Sequence, residues 1–413
     1  MKEFNTTGVC IPEKHYMVDI SEKLAKIEKM VEKGRYFTIN RPRQTGKTTT
    51  IYLLTKELIK KDYFVLKMSF EAKSTKIFTS EKRFIKSFLK EIERNIKFRV
   101  KKNKEKLLSL IKNKKDFLDN LSELSYLITD LVLMAEKEVV LIINEVDKST
   151  NNQLFLDFLG ILRNKYLLRE QSEDKTFRSV ILAGVHDVKN LKLKLRPDEE
   201  RKYNSPWNIA VEFDIDMDFN VKEIKTMLKD YKEDRDVAMN INEIAKRIHY
   251  YTSGQPFLVS KLAEIVDNKI MPEKVNNEWG IKDIDEAMKI ILNQSNTNFE
   301  SLVKNLENNK ELYDLVNDII IEGKRISYNL HNPVIEKGEI YGILKKDNNL
   351  VRVHNKIYEQ IIYNYMTSKI ETNVEAEMYN FRDNFISTSG KLNMKKVLTK
   401  FQQFIKKEYS DKD

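Results

Sequence analysis

Residues 40–50 read NRPRQTGKTTT, and this stretch decides the fold, because Gly46-Lys47-Thr48 ends a phosphate-binding loop of the pattern G-x-x-x-x-G-K-[ST]. The first glycine of that pattern is missing: position 41 is Arg41, followed by Pro42 and Arg43. The physics of such a loop does not depend on it. Backbone N–H groups of a tight turn that opens a helix point at phosphate oxygens, and the helix N-terminus adds positive potential. Gly46 lets the backbone approach closely, Lys47 reaches the β- and γ-phosphates, and the Thr48 hydroxyl ligates Mg²⁺. The expected nucleotide-binding run is therefore Arg43, Gln44, Thr45, Gly46, Lys47, Thr48 and Thr49. The flanks agree: residues 36–40 read as a short strand, and residues 48–60 carry Ile51, Leu54 and Leu58 at helical spacing.

A second, acidic motif lies about a hundred residues on. Residues 139–143 form a continuous apolar run, suited to a strand buried on both faces, and end in Asn144-Glu145-Val146-Asp147. This looks like a Walker B strand, in which an Asp holds the Mg²⁺ shell and the next Glu polarises the attacking water. Glu145 is present, but Asn144 stands at the Asp position. An amide oxygen accepts a hydrogen bond from a metal-bound water yet brings no charge to offset the ion. The expected catalytic set is Glu145, Asn144 and Lys47, with Thr48 and, through water, Asn144 on Mg²⁺. Nucleotide binding is expected to survive better than hydrolysis. Asp147 substitutes for the missing charge only if the strand end twists.

Composition narrows the class. The 413 residues, 41% hydrophobic and 33% charged, allow two or three domains with ordinary cores. Cys10 is the only cysteine, which excludes a disulfide framework and points to a reducing compartment. No apolar run has the length of a membrane span, and the start MKEFNTTGVC lacks a signal-peptide core, so the expected location is the cytoplasm, with no membrane partner. A formal charge of +10, from 73 basic and 63 acidic residues, favours an anionic partner, nucleic acid included. The lysines at 101, 102, 104, 106, 112, 114 and 115 read first as a solvated helical face, with a nucleic-acid patch as the alternative.

Along the chain, residues 1–35 form a preamble with a helix over 19–33, of the kind that lies over a nucleotide base. Residues 63–70 read as a strand, 154–168 as an amphipathic helix, 179–184 as another apolar strand and 211–215 as a fifth. This alternation predicts an α/β fold with a doubly wound, mostly parallel sheet and ligand at the carboxyl ends of its strands. His186 and Asp187, at the end of 179–184, are candidates to sense a γ-phosphate, and Arg196 and Arg201 to act as an arginine finger. Further on, YYTSGQPFLVSKLAEIV has Gly254 breaking one helix and Pro256 starting the next. Taken alone this is an ordinary helix–helix turn; it also resembles the lid of P-loop ATPases of the STAND and archaeal kind, where such a turn faces the nucleotide, and that resemblance adds Pro256 to the candidate nucleotide contacts.

The motifs FNTTGVCIPEKHYMVDISEKL, YFTINRPRQTGKTTT, LIINEVDKSTNNQLFLDFLGILRNKYLL, SVILAGVHDVKNLKLKLRPDEERKYNSPWNIAV and YYTSGQPFLVSKL together resemble a bacterial AAA-like P-loop ATPase family close to the archaeal and STAND ATPases. The resemblance covers residues 4–267 closely. It makes R-P-R-x-x-G-K-T, with Arg at position 41, the ordinary form of the loop, and it implies ATP and Mg²⁺ as cofactors. Relatives carry Asp where this chain has Asn144, and many continue into a PD-(D/E)XK nuclease-like domain. No strand bearing such carboxylates follows here, so no nuclease activity is expected of this chain.

Residues 311–368 have their own pattern. Leu312, Leu315, Val316 and Ile319 make a helical stripe, residues 340–344 and 350–353 read as two strands around a basic turn of 345–349, and a helix follows over 355–365. This is the pattern of a winged helix, a module that contacts nucleic acid or docks proteins. The expected division is 1–219 for the P-loop core with its preamble, 220–310 for a helical lid, 311–368 for the winged helix and 369–413 for a helical connector. The expected function is a nucleotide-dependent ATPase switch with weakened hydrolysis. The alternatives are a nucleic-acid-binding protein or a scaffold, including a homo-oligomer, that uses nucleotide structurally.

Overall fold

The computed structural model describes residues 1–71, 73–100, 102–149, 152–185, 207–372, 385 and 392–409. The chain forms two compact units: Met1–Val237 with Gln255–Glu264, and Ala238–Gly254 with Ile265–Asp413.

The first unit is built on a parallel sheet of β1 (Phe37–Asn40), β2 (Phe64–Ser69), β3 (Val139–Asn144) and β4 (Ser179–Gly184), in the order β1-β4-β3-β2. Every residue of β3 and β4 is buried, as their unbroken apolar runs require of strands covered on both faces. Asn40 is level with Gly184, and Asn144 pairs with Ala183 on one side and Ser69 on the other, so the strands end at one level. Helices α1 (Ser21–Glu32), α2 (Lys47–Lys60), α3 (Glu81–Arg99), α4 (Lys104–Lys114), α5 (Leu121–Ala135) and α6 (Gln153–Glu170) flank or extend the sheet unit. Its core holds a chain of aromatic contacts through Phe70, Phe78, Phe84, Phe88, Phe155 and Phe158. On α4, Leu107 and Ile111 are buried while Lys106, Lys112 and Lys114 face solvent, the solvated basic face expected from sequence.

Strand β2 is a sheet edge, with unpaired backbone groups that need partners. Asn95 of α3 supplies them: its Oδ1 accepts from the Lys67 N–H at 3.0 Å and its Nδ2 donates to the Lys67 carbonyl at 2.9 Å. A buried amide here stands in for a neighbouring strand.

The expected fifth strand over 211–215 does not form as such. Val211 alone bridges Phe37, in parallel, on the open side of β1. Beyond it the carbonyls of Phe213 and Ile215 accept from the Arg41 guanidinium at 3.1 and 2.9 Å, so a side chain takes acceptors that a ladder would have used. The segment is anchored upstream by Trp207, fully buried, whose indole donates to Thr38 Oγ1 at 3.0 Å. Helix α7 (Val221–Arg235) follows, opened by a capping box of Asn220 and Glu223. The preamble packs against it through Phe4, Tyr16 and Tyr231, whose ring centroids lie 4.9–5.1 Å apart.

The second unit begins with a two-stranded parallel pairing of β5 (Ala238–Met239) and β6 (Glu278–Trp279) around helix α8 (Ile241–Thr252). Helices Ile281–Leu292, Thr297–Glu307, Lys310–Ile320 and Pro333–Ile340 come next, then an antiparallel hairpin of β7 (Leu344–Asp347) and β8 (Leu350–Val353), then helix Lys356–Thr372. This is the element order of a winged helix. The first hairpin strand was expected over 340–344. In fact Asn332 caps and Pro333 opens a helix that runs to Ile340, and the left-handed Gly342 ends the turn before β7 starts at Leu344. Lys345 and Lys346 consequently lie in β7 and not in the turn, which is Asn348-Asn349, both at positive φ as a tight hairpin demands. Both lysines are engaged, Lys345 with Ser253 Oγ at 2.9 Å and Lys346 over the Tyr328 ring at 5.3 Å. Among the described residues no helix is long and apolar enough to cross a membrane.

Candidate functional site

Strand β1 ends at Asn40, and the chain turns through 41–46 into α2. Gly46 is the N-cap residue of α2 at φ 78°, a left-handed conformation that a side chain strains. Gln44 shares it at φ 60°. The loop folds back on Lys47, whose ammonium donates to the carbonyls of Arg41 at 2.5 Å and Pro42 at 2.7 Å, and Thr45 Oγ1 donates to the same Pro42 carbonyl at 2.9 Å. Lys47 is only 6% exposed. Burial pushes its pKa down to about 8, against the opposing pull of Glu145 and Asp147. Arg43 lies exposed on the loop, and Thr48 is half-buried in the first turn of α2. The Thr49 hydroxyl accepts from the Cys10 N–H at 3.1 Å, which ties the preamble to the loop helix.

Arg41 has a structural task that the loop pattern does not show. Besides the two carbonyls at 213 and 215, its guanidinium lies 5.3 Å over the Phe213 ring, and its own N–H donates to the Gly184 carbonyl at 3.2 Å. It therefore clamps the loop between the end of β4 and the segment beside β1. Arg41→Ala is expected to destabilise the first unit by ~2 kcal/mol, the scale of a hydrogen bond to a charged group. In calorimetry that is a drop of roughly 4–8 °C in Tm. Arg41→Lys should not restore it, since a single ammonium lacks the planar fork that reaches two carbonyls; full recovery by lysine would refute the clamp.

At the end of β3, Asn144 is 7% exposed and its Oδ1 has no hydrogen-bond donor among the described residues. Glu145 follows at φ 53°, half-buried, its carboxyl pushed up by burial while Lys47 pulls it down. Asp147 does not come round to the Asn144 position. Both its carboxylate oxygens accept from the Val185 N–H at 2.9 Å, and the exit of β4 is shaped for it: a Cβ on Gly184 would sit 3.0 Å from Asp147 Oδ1. The strand end thus presents one amide and one carboxylate, with the second carboxylate spent on the neighbouring strand.

Gln255 and Pro256 complete the surroundings. A Cβ on Gly46 would meet the Pro256 ring at 3.8 Å, so Pro256 lies beside the loop glycine. Gln255, which sequence reading passed over, is 3% exposed and binds in two directions. Its Nε2 donates to the Gln44 carbonyl at 3.2 Å, and its Oε1 accepts from the Leu258 N–H at 2.7 Å, capping the helix α9 (Pro256–Ile265). The signal available in sequence was the polar residue just before a helix-opening proline. His186, Asp187, Arg196 and Arg201 lie outside the described residues.

These parts fit a nucleoside triphosphate with its metal. A left-handed glycine opens a helix with free N–H groups, and a buried ammonium is held by neutral carbonyls that a phosphate outcompetes. The orphaned Asn144 oxygen suits a water on a hard cation.

The sequence matches a family model described as "AAA-like domain" over residues 11–364. No curated protein matches the chain. Among solved structures, the Walker-type ATPase PABY2304 of Pyrococcus abyssi is similar at 13% identity and a TM-score of 0.55, over 87% of this chain and 99% of that one. The ORC2 protein of Aeropyrum pernix, solved as ADPNP–ADP complexes, is similar at 13% identity and a TM-score of 0.44, over 85% and 94%. The RuvB Holliday junction branch migration motor of Thermotoga maritima is similar at 15% identity and a TM-score of 0.39, over 83% and 95%. With its phosphate loop, its strand order and a family match over most of its length, the chain belongs to the AAA-like domain family and has the P-loop ATPase fold.

Proposed function

We propose that the protein binds ATP with Mg²⁺ at the loop of residues 43–49 and uses it as a switch, with slow turnover. The observation that carries this reading is the conjunction of Gly46 at the N-terminus of α2 with the buried, carbonyl-held Lys47. Loop N–H groups and the Lys47 ammonium take the β- and γ-phosphates, while Thr48 and, through water, Asn144 hold the metal. The bound metal supplies positive charge against the phosphate oxygens. Glu145 orients the attacking water with its carboxylate and accepts that water's proton. Asn144 orients but adds no negative charge, so the cation is held weakly and hydrolysis is slow. Gln255, bonded to the Gln44 carbonyl, and Pro256, beside Gly46, read the state of the loop, and helix α9 passes it on to the parts of the chain proposed as lid (220–310) and winged helix (311–368). Turnover this slow also supports a second reading, a scaffold that holds nucleotide to order its own assembly. Mass measurement with and without ATP separates the two: assembly that follows ATP without turnover supports the scaffold.

The test is calorimetric titration of MgATP at pH 7 and pH 8 in buffers of different ionisation enthalpy. In the free protein Lys47 sits near half protonation at pH 8, its pKa lowered to about 8. Phosphate beside the ammonium raises that pKa again, so binding takes up a proton, ~0.5 per site at pH 8 and about a tenth at pH 7. Affinity falls as pH rises further, because the proton then costs more to recruit. No binding, or heats independent of buffer at pH 8, would remove Lys47 from the phosphate site.

A further inference from the structure

A cavity of about 570 Å³ opens between the edge strand β2 and α3 and reaches the end of β3 at Asn144. Its wall carries Lys67, Lys73, Arg94 and Arg99 against one carboxylate, Glu91, and Phe98 is at its rim with its side chain 82% exposed. Glu91 is paired with Lys73. Among the described residues Lys67, Arg94 and Arg99 have no ion-pair partner; Arg99 only donates to the Val65 carbonyl at 3.3 Å. The cluster is held in place by the Asn95 bridge to the Lys67 backbone. Burial lowers the pKa of Lys67 and of Arg99, and each is lowered further by the next cation, Lys67 by Arg99 and Arg99 by Arg94. Like charges crowded in a concave wall without a counter-ion call for an anion with several oxygens. An exposed phenylalanine beside them calls for a flat apolar face.

A phosphate attached to a planar base meets both demands. A duplex keeps its bases stacked inside and offers no face to Phe98, whereas a single strand does. We propose that this cavity binds single-stranded nucleic acid, with backbone phosphates at Lys67, Arg94 and Arg99 and a base stacked on Phe98. The cavity lies outside the phosphate loop of residues 41–49 and meets the proposed metal site only at Asn144, so strand binding is measured both with and without MgATP. Asn144 also lines the cavity, so the strand passes beside the end of β3.

The experiment is fluorescence anisotropy of a labelled oligothymidylate of about 12 nucleotides with the full chain. About three phosphate contacts give log K against log salt a slope near −2. Arg94→Glu is expected to weaken binding about tenfold or more and to flatten that slope by roughly 0.7. Phe98→Ala is expected to weaken it about tenfold with the slope unchanged, since stacking releases no counter-ions. Arg94 and Phe98 are both exposed, so neither change threatens the fold, and thermal melts verify it. Lys112→Glu on the exposed face of α4 is the control for charge alone and should cost less than about twofold. The proposal fails if Lys112→Glu costs as much as Arg94→Glu, or if no strand binds at low salt. It fails equally if a blunt duplex binds as tightly and ignores Phe98→Ala, or if thymidine monophosphate binds as tightly as the oligomer, which would mark a site for free nucleotides.

Discussion

Lys47→Ala is expected to lower MgATP affinity on the order of 100-fold, the cost of about 3 kcal/mol for truncating one partner of a buried, hydrogen-bonded charge pair. The fold should tolerate it. Burial holds the Lys47 pKa at about 8, against 10.5 for a free lysine, and the side chain is 6% exposed, so little of that shift is screened by solvent. At ~1.4 kcal/mol per unit, keeping this ammonium charged costs the folded protein on the order of 3 kcal/mol. The sign is that of a lysine whose folded pKa is depressed. The penalty is present in full below pH 8 and is relieved as pH rises from 8 toward 10.5. Alanine removes it, which offsets the loss of the donors to the Arg41 and Pro42 carbonyls. The Tm at pH 7 should therefore stay within roughly 4 °C of wild type, and the variant should lose ground relative to wild type as pH rises above 8. Calorimetric titration and thermal melts on the same samples test both halves. Unchanged affinity would take Lys47 out of the phosphate site, and a collapse in Tm would show that its ammonium is needed to build the loop.

The parts that sequence reading reached are those written in local pattern. Gly46-Lys47-Thr48 between a strand and an amphipathic helix, and five apolar residues ending in Asn144-Glu145, specify their own conformations over a few residues, and the sheet then brings the two strand ends level. What it missed is carried by contacts between distant residues. Arg41 reaches carbonyls 172 and 174 positions away, and Gln255 reaches Gln44 across 211 positions. No periodicity encodes such pairings. The same holds for Asp147, whose spacing from Asn144 left its direction open until the Val185 N–H claimed it. Residues 340–344 show a different failure. An apolar run reads alike as a helix end and a strand start, and here it is both, with Asn332-Pro333 and Gly342 deciding the boundary. The basic cavity at the sheet edge needed three dimensions, because Lys67 comes from β2 while Arg94 and Arg99 come from α3.

Asn144→Asp is expected to raise steady-state ATP turnover between about 10- and 100-fold, the span by which outer-shell partners of a metal alter its affinity or activity. The site is poised for the change. The Asn144 oxygen is already buried at the end of β3 and has no donor among the described residues, so a carboxylate of the same shape displaces no bond that they make to that atom. What it adds is charge. Without metal that charge is unfavourable, since the position is buried and its neighbours include Glu145 and Asp147, both felt electrostatically by Lys47. The metal-free variant should accordingly melt below wild type. Mg²⁺ with nucleotide should reverse the order, because the cation then has an anionic partner in place of a neutral amide. A carboxylate at 144 also favours the charged form of Lys47, so proton uptake on nucleotide binding at pH 8 should shrink in the variant. Three readouts therefore move together: phosphate release rises, the Mg²⁺ concentration for half-maximal rate falls, and the proton uptake diminishes. If the half-maximal Mg²⁺ concentration falls while phosphate release stays level, the amide governs metal affinity but a later step limits the rate. If neither moves, Asn144 is not the metal's neighbour, and the expectation of weakened hydrolysis at this position fails.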